Sequence, residues 1–200
     1  MTPKNGVKNV GSVLDDLISR LEKSSASSDL DAQVLLARVL DKSRSWVMAH
    51  PETTLASGQV VAVEQLAASL EQGYPLPYVL GRWEFFGLEF EVTPDVLIPR
   101  PETELLVERA IGWLQAHPDR RHVADIGTGS GCIGIALAAN VPDLQVMGSD
   151  ISAEAVKMAQ HNAIKNGVGQ RMEFRCCDLF PVETEFDLIV ANLPYIPTRT

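Results

Sequence analysis

Val123-Ala-Asp-Ile-Gly-Thr-Gly-Ser-Gly-Cys-Ile-Gly-Ile-Ala-Leu-Ala138 decides how this chain is read. A short apolar run ends at Asp125-Ile126. Glycines follow at Gly127, Gly129 and Gly131, and an Ala/Ile/Leu-rich segment continues at helical spacing. The pattern predicts a strand, a tight glycine loop and a helix. A loop without Cβ atoms lets a ligand approach bare backbone, and the first helical N–H groups point at that ligand. Such a loop is a weak signal alone. It gains force when an acidic residue ends the next strand about 20 residues on, where it can hold ribose hydroxyls. Leu144-Gln-Val-Met-Gly-Ser149 ends in Asp150 at that distance.

Downstream the alternation continues. Strand 144–149 precedes a helix over 152–166, opened by Ser152 and closed by Gly167. Strand 171–176 leads to Asp178-Leu179, and strand 186–191 ends at Asn192-Leu-Pro-Tyr195. Repeated β-α-β units predict a parallel sheet with helices on both faces and ligands beyond the carboxyl ends of its strands. Gly127 to Gly131, Asp150, Asp178 and Asn192 to Tyr195 all fall at those ends, and this convergence marks a candidate site.

Upstream the pattern is helical. Residues 1–10 carry no clear periodicity. Val13, Leu14, Leu17, Ile18 and Leu21 form one face of a helix from Ser12. Ser28 or Asp29 caps a second, a short third follows Ser43, and Ser57 to Gln72 forms a fourth. Residues 1–73 therefore read as a helical bundle without a catalytic constellation, suited to substrate recognition. Residues 74–100 read as a linker: an extended connector at Tyr74-Pro-Leu-Pro-Tyr78, then an aromatic hairpin over Trp83 to Val92 turning at Gly87. Pro101 fits the first turn of the next helix, with Glu102 and Glu104 at the positive end of its dipole. Residues 101–200 form the catalytic domain.

Composition narrows the function classes. With 46% hydrophobic and 22% charged residues, the chain can bury a real core. No apolar run reaches spanning length, and no secretory h-region follows Met1, so no membrane association is expected. Cys132, Cys176 and Cys177 match neither a disulfide framework nor a zinc spacing, which fits a reducing, cytoplasmic setting. The four histidines are scattered, and no metal site is expected. A net charge of −9 argues against non-specific binding to nucleic acid.

Asn192-Leu193-Pro194-Tyr195 carries the chemistry. Asn192 Oδ1 and one backbone carbonyl, that of Leu193, can accept the two N–H bonds of a planar NH2 group. That nitrogen is then held with its π-face toward an electrophile, Pro194 stiffens the loop, and Tyr195 covers one face of the substrate. The electrophile in this reading is a methyl group on a sulfonium. The nitrogen gains positive charge in the transition state, so carbonyl oxygens aimed at its hydrogens stabilise that state preferentially. The competing reading of the tetrapeptide is a strand-ending Asn before a Pro turn.

The series Asp125-x-Gly127-x-Gly129-x-Gly131, Asp150, Asp178 and Asn192-Leu-Pro-Tyr195 resembles the class I S-adenosylmethionine-dependent methyltransferases that act on amino nitrogens. With the N-terminal helices, the hairpin and Ile98-Pro-Arg-Pro-Glu-Thr-Glu104, the chain from about residue 12 resembles the HemK/PrmC family. These are protein N5-glutamine methyltransferases acting on the Gly-Gly-Gln motif of class-1 peptide chain release factors in translation termination. The resemblance implies an α/β fold: a Rossmann-like, doubly wound parallel sheet, here its first four strands, with the helical bundle and hairpin linker before it. It implies S-adenosyl-L-methionine as cofactor and S-adenosyl-L-homocysteine as product. Gly127, Thr128, Gly129, Ser130 and Gly131 would approach the methionine and ribose, Asp150 the ribose hydroxyls, and Asp178 and Leu179 the adenine. Asn192 would touch cofactor and substrate, with Leu193, Pro194 and Tyr195 completing the substrate pocket. Arg100 to Glu104 would cover the cofactor. The partner implied is a release factor, not nucleic acid.

Two departures stand out. The family tetrapeptide usually reads Asn-Pro-Pro-Tyr, and Leu193 replaces the first proline, keeping the carbonyl while freeing φ. The family sheet also continues for three more strands past the fourth. The chain is therefore expected to be a C-terminally truncated piece, with strand 186–191 an exposed edge. Two alternatives follow: an adenine-N6 methyltransferase acting on RNA or DNA, and a catalytically incomplete fragment that binds cofactor or protein.

Overall fold

The computed structural model describes residues 8–179 and 185–193. Contacts divide the chain into two units, Met1–Leu80 and Gly81–Thr200.

The first unit is helical: α1 (Val10–Leu21), α2 (Ser28–Leu40), α3 (Arg44–Ala49), α4 (Ser57–Glu71) and α5 (Leu76–Leu80). Helix α1 begins two residues before the expected Ser12. Asn9 Oδ1 accepts from the Ser12 N–H at 2.9 Å, and Ser12 Oγ accepts from the Asn9 N–H at 3.1 Å. This reciprocal cap satisfies two N-terminal donors and turns Val10 fully into the core. Leu17, Leu21, Leu35, Leu36 and Val63 are also buried there. On the rim Arg20 of α1 pairs with Glu64 and Glu71 of α4, which holds the guanidinium pKa above its ordinary value and lowers that of Glu64. The extended connector expected at residues 74–78 is instead the start of α5. Tyr78 and Val79 N–H groups donate to the Pro75 carbonyl, and proline is tolerated in a first turn, where no intrahelical donor is required.

The second unit opens with the hairpin: β1 (Arg82–Phe85) and β2 (Leu88–Glu91) pair antiparallel across Phe86-Gly87. Both loop residues have positive φ, 52° and 71°, as a two-residue hairpin requires. Phe86 is held there by its N–H, which donates to Glu104 Oε1 at 2.9 Å. A 3₁₀ turn over Pro101–Thr103 leads into α6 (Glu104–Ala116). Then follow β3 (His122–Ile126), α7 (Cys132–Asn140), β4 (Gln145–Asp150), α8 (Ala153–Lys165), β5 (Met172–Cys176) and β6 (Leu188–Ala191).

Strands β3 to β6 form a parallel, Rossmann-like sheet in the order β5-β4-β3-β6. The chain steps outward from β3 through β4 to β5 and returns on the other side of β3. The topological switch point, where such sheets bind ligands, therefore lies between β3 and β6. The register aligns Val123, Val146, Met172 and Leu188 on one face, and these pack with Val107 and Leu114 of α6, Ile135 and Leu137 of α7, and Ala163 of α8. Helices on both faces were expected. Among the described residues all three helices lie on this face, since consecutive right-handed crossovers in one direction keep to one side. The opposite face includes Ile189, 51% exposed, and β6 is an edge strand among the described residues.

Candidate active site

The loop after β3 is built by its own polar groups. The Thr128 N–H donates to the Ser149 carbonyl at 2.9 Å and the Gly131 N–H to the Thr128 carbonyl at 2.8 Å. Gly127, at φ 67°, has a Cβ position only 2.8 Å from Leu193 Cδ2, so the end of β6 closes directly on the glycine loop. An alanine there would meet both a clash and a strained backbone. Asp150, at the end of β4, accepts from the Gly129 N–H through Oδ2 at 2.9 Å and from the Ser152 N–H through Oδ1 at 3.0 Å. It therefore ties the loop to the start of α8. Each carboxylate oxygen keeps lone-pair capacity for a further donor.

Behind the loop Asp125 is fully buried. Its Oδ2 accepts from Thr128 Oγ1 at 2.7 Å and from the Gly134 N–H at 3.0 Å, while Oδ1 has no partner among the described residues. Burial pushes its pKa up to about 6, against the two hydrogen bonds and with help from the Asp150 charge. A carboxyl that binds its proton more tightly when folded stabilises the fold at low pH. That contribution is lost as pH rises from about 4 to about 6. Asp125→Asn keeps an oxygen for Thr128 and Gly134 and removes the ionisation. Urea unfolding across this range should show a flatter profile, with stability at pH 7 raised by on the order of 1–2 kcal/mol. An unchanged slope would mean that Asp125 does not titrate there. Burial also lifts the Cys132 thiol to about 12, which leaves it inert.

A cavity of about 1040 Å³ opens at the switch point. It is lined by Gly127, Thr128, Gly129 and Ser130 of the loop, by Asp150, Asp178 and Leu179 beyond β4 and β5, by Asn192 and Leu193 beyond β6, and by Arg100, Glu102 and Thr103 before α6. Most of the residues singled out in the sequence thus meet in one place. Gly131 does not line the cavity. Its missing Cβ makes room for Ile135 and for Ala159 of α8, so it serves helix packing. Pro194 and Tyr195 lie outside the described residues. Leu179 takes a positive φ of 60°, and its carbonyl accepts a hydrogen bond from Ser149 Oγ.

Thr103, inside the Arg100 to Glu104 segment expected to cover the cofactor, and Asn162, which no sequence pattern singled out, complete the site. Thr103, 7% exposed, accepts a hydrogen bond from Asn192 Nδ2 at 3.0 Å. Among the described residues, Asn192 Oδ1 accepts none. Asn162 of α8 is fully buried. It receives the Glu91 N–H at 2.8 Å and donates to the Glu91 carbonyl at 3.0 Å and the Ser130 carbonyl at 2.9 Å. One amide thereby joins hairpin, helix and glycine loop. The available signal was a polar residue on the otherwise apolar face of Ala155, Val156, Ala159 and Ala163.

The cavity suits a nucleoside-sized cation. Four carboxylates line it, Asp95, Glu102, Asp150 and Asp178, against one guanidinium, Arg100. The size is that of a cofactor site, and Ser130 Oγ, a buried oxygen with no hydrogen-bond partner among the described residues, lies in its glycine loop. Among the described residues no cluster of metal-ligating side chains occurs, and no helix is long and apolar enough to cross a membrane.

Residues 12–81 match the family described as the PrmC N-terminal domain, and residues 102–199 match the methyltransferase small domain. Among curated relatives, a release factor glutamine methyltransferase of Geobacter sulfurreducens is 40% identical over 99% of this chain and 69% of its own length. The Bordetella pertussis relative of the same name is 43% identical over 84% of this chain and 62% of its own length. That from Aliivibrio fischeri is 39% identical, over 87% and 61%. The chain thus spans about three-fifths of the length of several curated relatives it matches.

Proposed function

Since the chain belongs to the release factor glutamine methyltransferase family, we propose that it moves a methyl group from S-adenosyl-L-methionine to the side-chain amide nitrogen of the glutamine in the Gly-Gly-Gln motif of class-1 release factors. The observation that carries this reading is the Asn192 amide at the cavity mouth. Its Nδ2 is taken by Thr103 while Oδ1 is left for an incoming N–H.

The cofactor supplies, when bound, a methyl group on a positively charged sulfur. Asp150 would receive the ribose hydroxyls, and Asp178 and Leu179 would border the adenine. The backbone of Gly127 to Ser130 would lie along the methionine portion, while Gly131 lets α8 pack close behind the loop. Asn192 Oδ1 and the Leu193 carbonyl accept the two N–H bonds of the substrate amide. They turn its nitrogen lone pair, normally delocalised into the carbonyl, toward the methyl carbon. The nitrogen–carbon bond would form as the carbon–sulfur pair returned to sulfur, leaving the nitrogen positive. The two oxygens stabilise that charge most when it is largest, and a proton then leaves the nitrogen to solvent. Pro194 and Tyr195 are assigned to the wall of the substrate pocket. The helices of the first unit grip the release factor away from the reacting glutamine. The family and the net charge of −9 favour a protein over a nucleic-acid acceptor, and the enzyme would work in the cytoplasm.

Labelled methyl transfer from the cofactor, offered release factor and RNA in parallel, tests the assignment. Label on the release factor alone is the predicted result. Label on adenine would favour the nucleic-acid alternative, and saturable cofactor binding without transfer to any acceptor would favour a binding piece. Asp150→Ala should weaken S-adenosylhomocysteine binding on the order of 100-fold by calorimetry, because it removes ribose acceptors and releases the Gly129 N–H. Retained affinity would remove Asp150 from the cofactor site.

A further inference from the structure

Leu179 is held in a conformation that its own side chain resists. Its φ of 60° lies in the left-handed region, where the Cβ of a leucine crowds the carbonyl that follows. It lines the cavity beyond β5, at the place that the methyl-transfer reading gives to the adenine. A residue in this region returns to ordinary backbone angles unless its surroundings hold it. Among the described residues two side chains reach its backbone, both at the carbonyl oxygen. The Cys177 thiol approaches at 3.8 Å from the exposed side and is a weak donor. The Ser149 hydroxyl is the stronger. A carbonyl can only accept, so the direction of this bond is fixed, with Ser149 Oγ donating.

Ser149 is fully buried near the end of β4, and it joins both walls of the cavity. Its carbonyl accepts the Thr128 N–H of the glycine loop at 2.9 Å, and its hydroxyl holds Leu179, 30 positions further along the chain. The Cys177 N–H donates to the Asp150 carbonyl at 3.0 Å, so backbone pairing with β4 reaches as far as Cys177. The Ser149 hydroxyl carries the attachment two residues further, to the cavity wall. We propose that Ser149 is a positioning residue for the adenine end of the cofactor site, keeping Leu179 left-handed and that wall in place for the base. The role rests on the methyl-transfer reading for its ligand. Among the described residues Ser149 bonds to neither Asn192 nor Leu193, so it acts on cofactor affinity and not on the transfer step.

The test compares three variants of the whole chain: Ser149→Ala, which removes the hydroxyl and little volume, Leu179→Gly, which takes a positive φ without help, and the two combined. By calorimetry Ser149→Ala should weaken S-adenosylhomocysteine binding about tenfold by itself, and by less than about twofold in the chain that already carries Leu179→Gly. In methyl-transfer assays on release factor, Ser149→Ala should raise the cofactor KM about tenfold and leave kcat within about twofold. A positive φ brings a residue's own amide and Cα protons close. In ligand-free protein Leu179 should therefore give a strong intraresidue Overhauser cross-peak between them, and Ser149→Ala should weaken it. A cross-peak unmoved by Ser149→Ala would overturn the proposal, as would equal losses of affinity with and without Leu179→Gly. Absence of S-adenosylhomocysteine binding by the unsubstituted chain would overturn the cofactor reading instead, and the cross-peak would then decide on Ser149 by itself.

Discussion

Asn162→Ala is expected to destabilise the Gly81–Thr200 unit by about 3–5 kcal/mol. The side chain is fully buried and satisfies three backbone groups from two segments: the N–H and carbonyl of Glu91 and the carbonyl of Ser130. Alanine removes the partner of all three and adds a cavity. The Ser130 carbonyl belongs to the glycine loop, so the loss should also appear as weaker S-adenosylhomocysteine binding. Asn140→Ala is the control. Among the described residues its Nδ2 donates only to the Ala136 carbonyl of its own helix, at 2.8 Å, and its removal should cost under about 1 kcal/mol. Calorimetric unfolding of both variants separates the cases. A transition for Asn162→Ala as high as that of the control would show that hairpin and loop are held by other contacts.

Asn192→Ala is expected to lower kcat for methyl transfer about 10²–10³-fold while S-adenosylhomocysteine affinity changes by less than about threefold. The asymmetry follows from what the amide faces. Asn192 lines the cavity at the end of β6, with Nδ2 already engaged by Thr103, so its oxygen serves the acceptor nitrogen. An interaction that strengthens as the nitrogen becomes positive contributes to the barrier and little to the ground state. Stopped-turnover kinetics paired with calorimetry resolves the two quantities. Equal losses in both would make Asn192 a cofactor ligand, and the acceptor would then need other carbonyls.

What the amino-acid order made legible was whatever local chemistry imposes. The Gly127 to Gly131 loop and Asp150 could be read because a strand, a turn of positive φ and a helix start leave a composition that little else produces. The acid that ends β4 follows from the spacing of the β-α-β unit. The hairpin was equally local: Gly87 and flanking aromatics sufficed, though not the Glu104 carboxylate that holds Phe86 in its unusual φ. What stayed hidden was long-range. Asn162 meets Glu91 across 71 residues, and Thr103 meets Asn192 across 89. No periodicity encodes such pairs. Gly131 shows a different limit, since a glycine in a ligand-binding pattern serves here to let α8 approach. Residues 74–78 show a third, because two prolines that suit an extended linker suit a first helical turn equally well. Asn9 extended α1 because a cap outweighs the lack of apolar periodicity before it.

In the proposed reaction a planar NH2 group is held at the mouth of the β3/β6 crevice by Asn192, next to the transferred methyl. Fragment-ion mass spectrometry of release factor incubated with the chain and a deuterated-methyl cofactor tests it most directly, because it names the atom that receives the methyl. The label is expected on the side-chain nitrogen of the glutamine in Gly-Gly-Gln, and is expected to accumulate there about 10²–10³-fold more slowly with Asn192→Ala. Label on any other residue, or on that glutamine at an undiminished rate without Asn192, would contradict it.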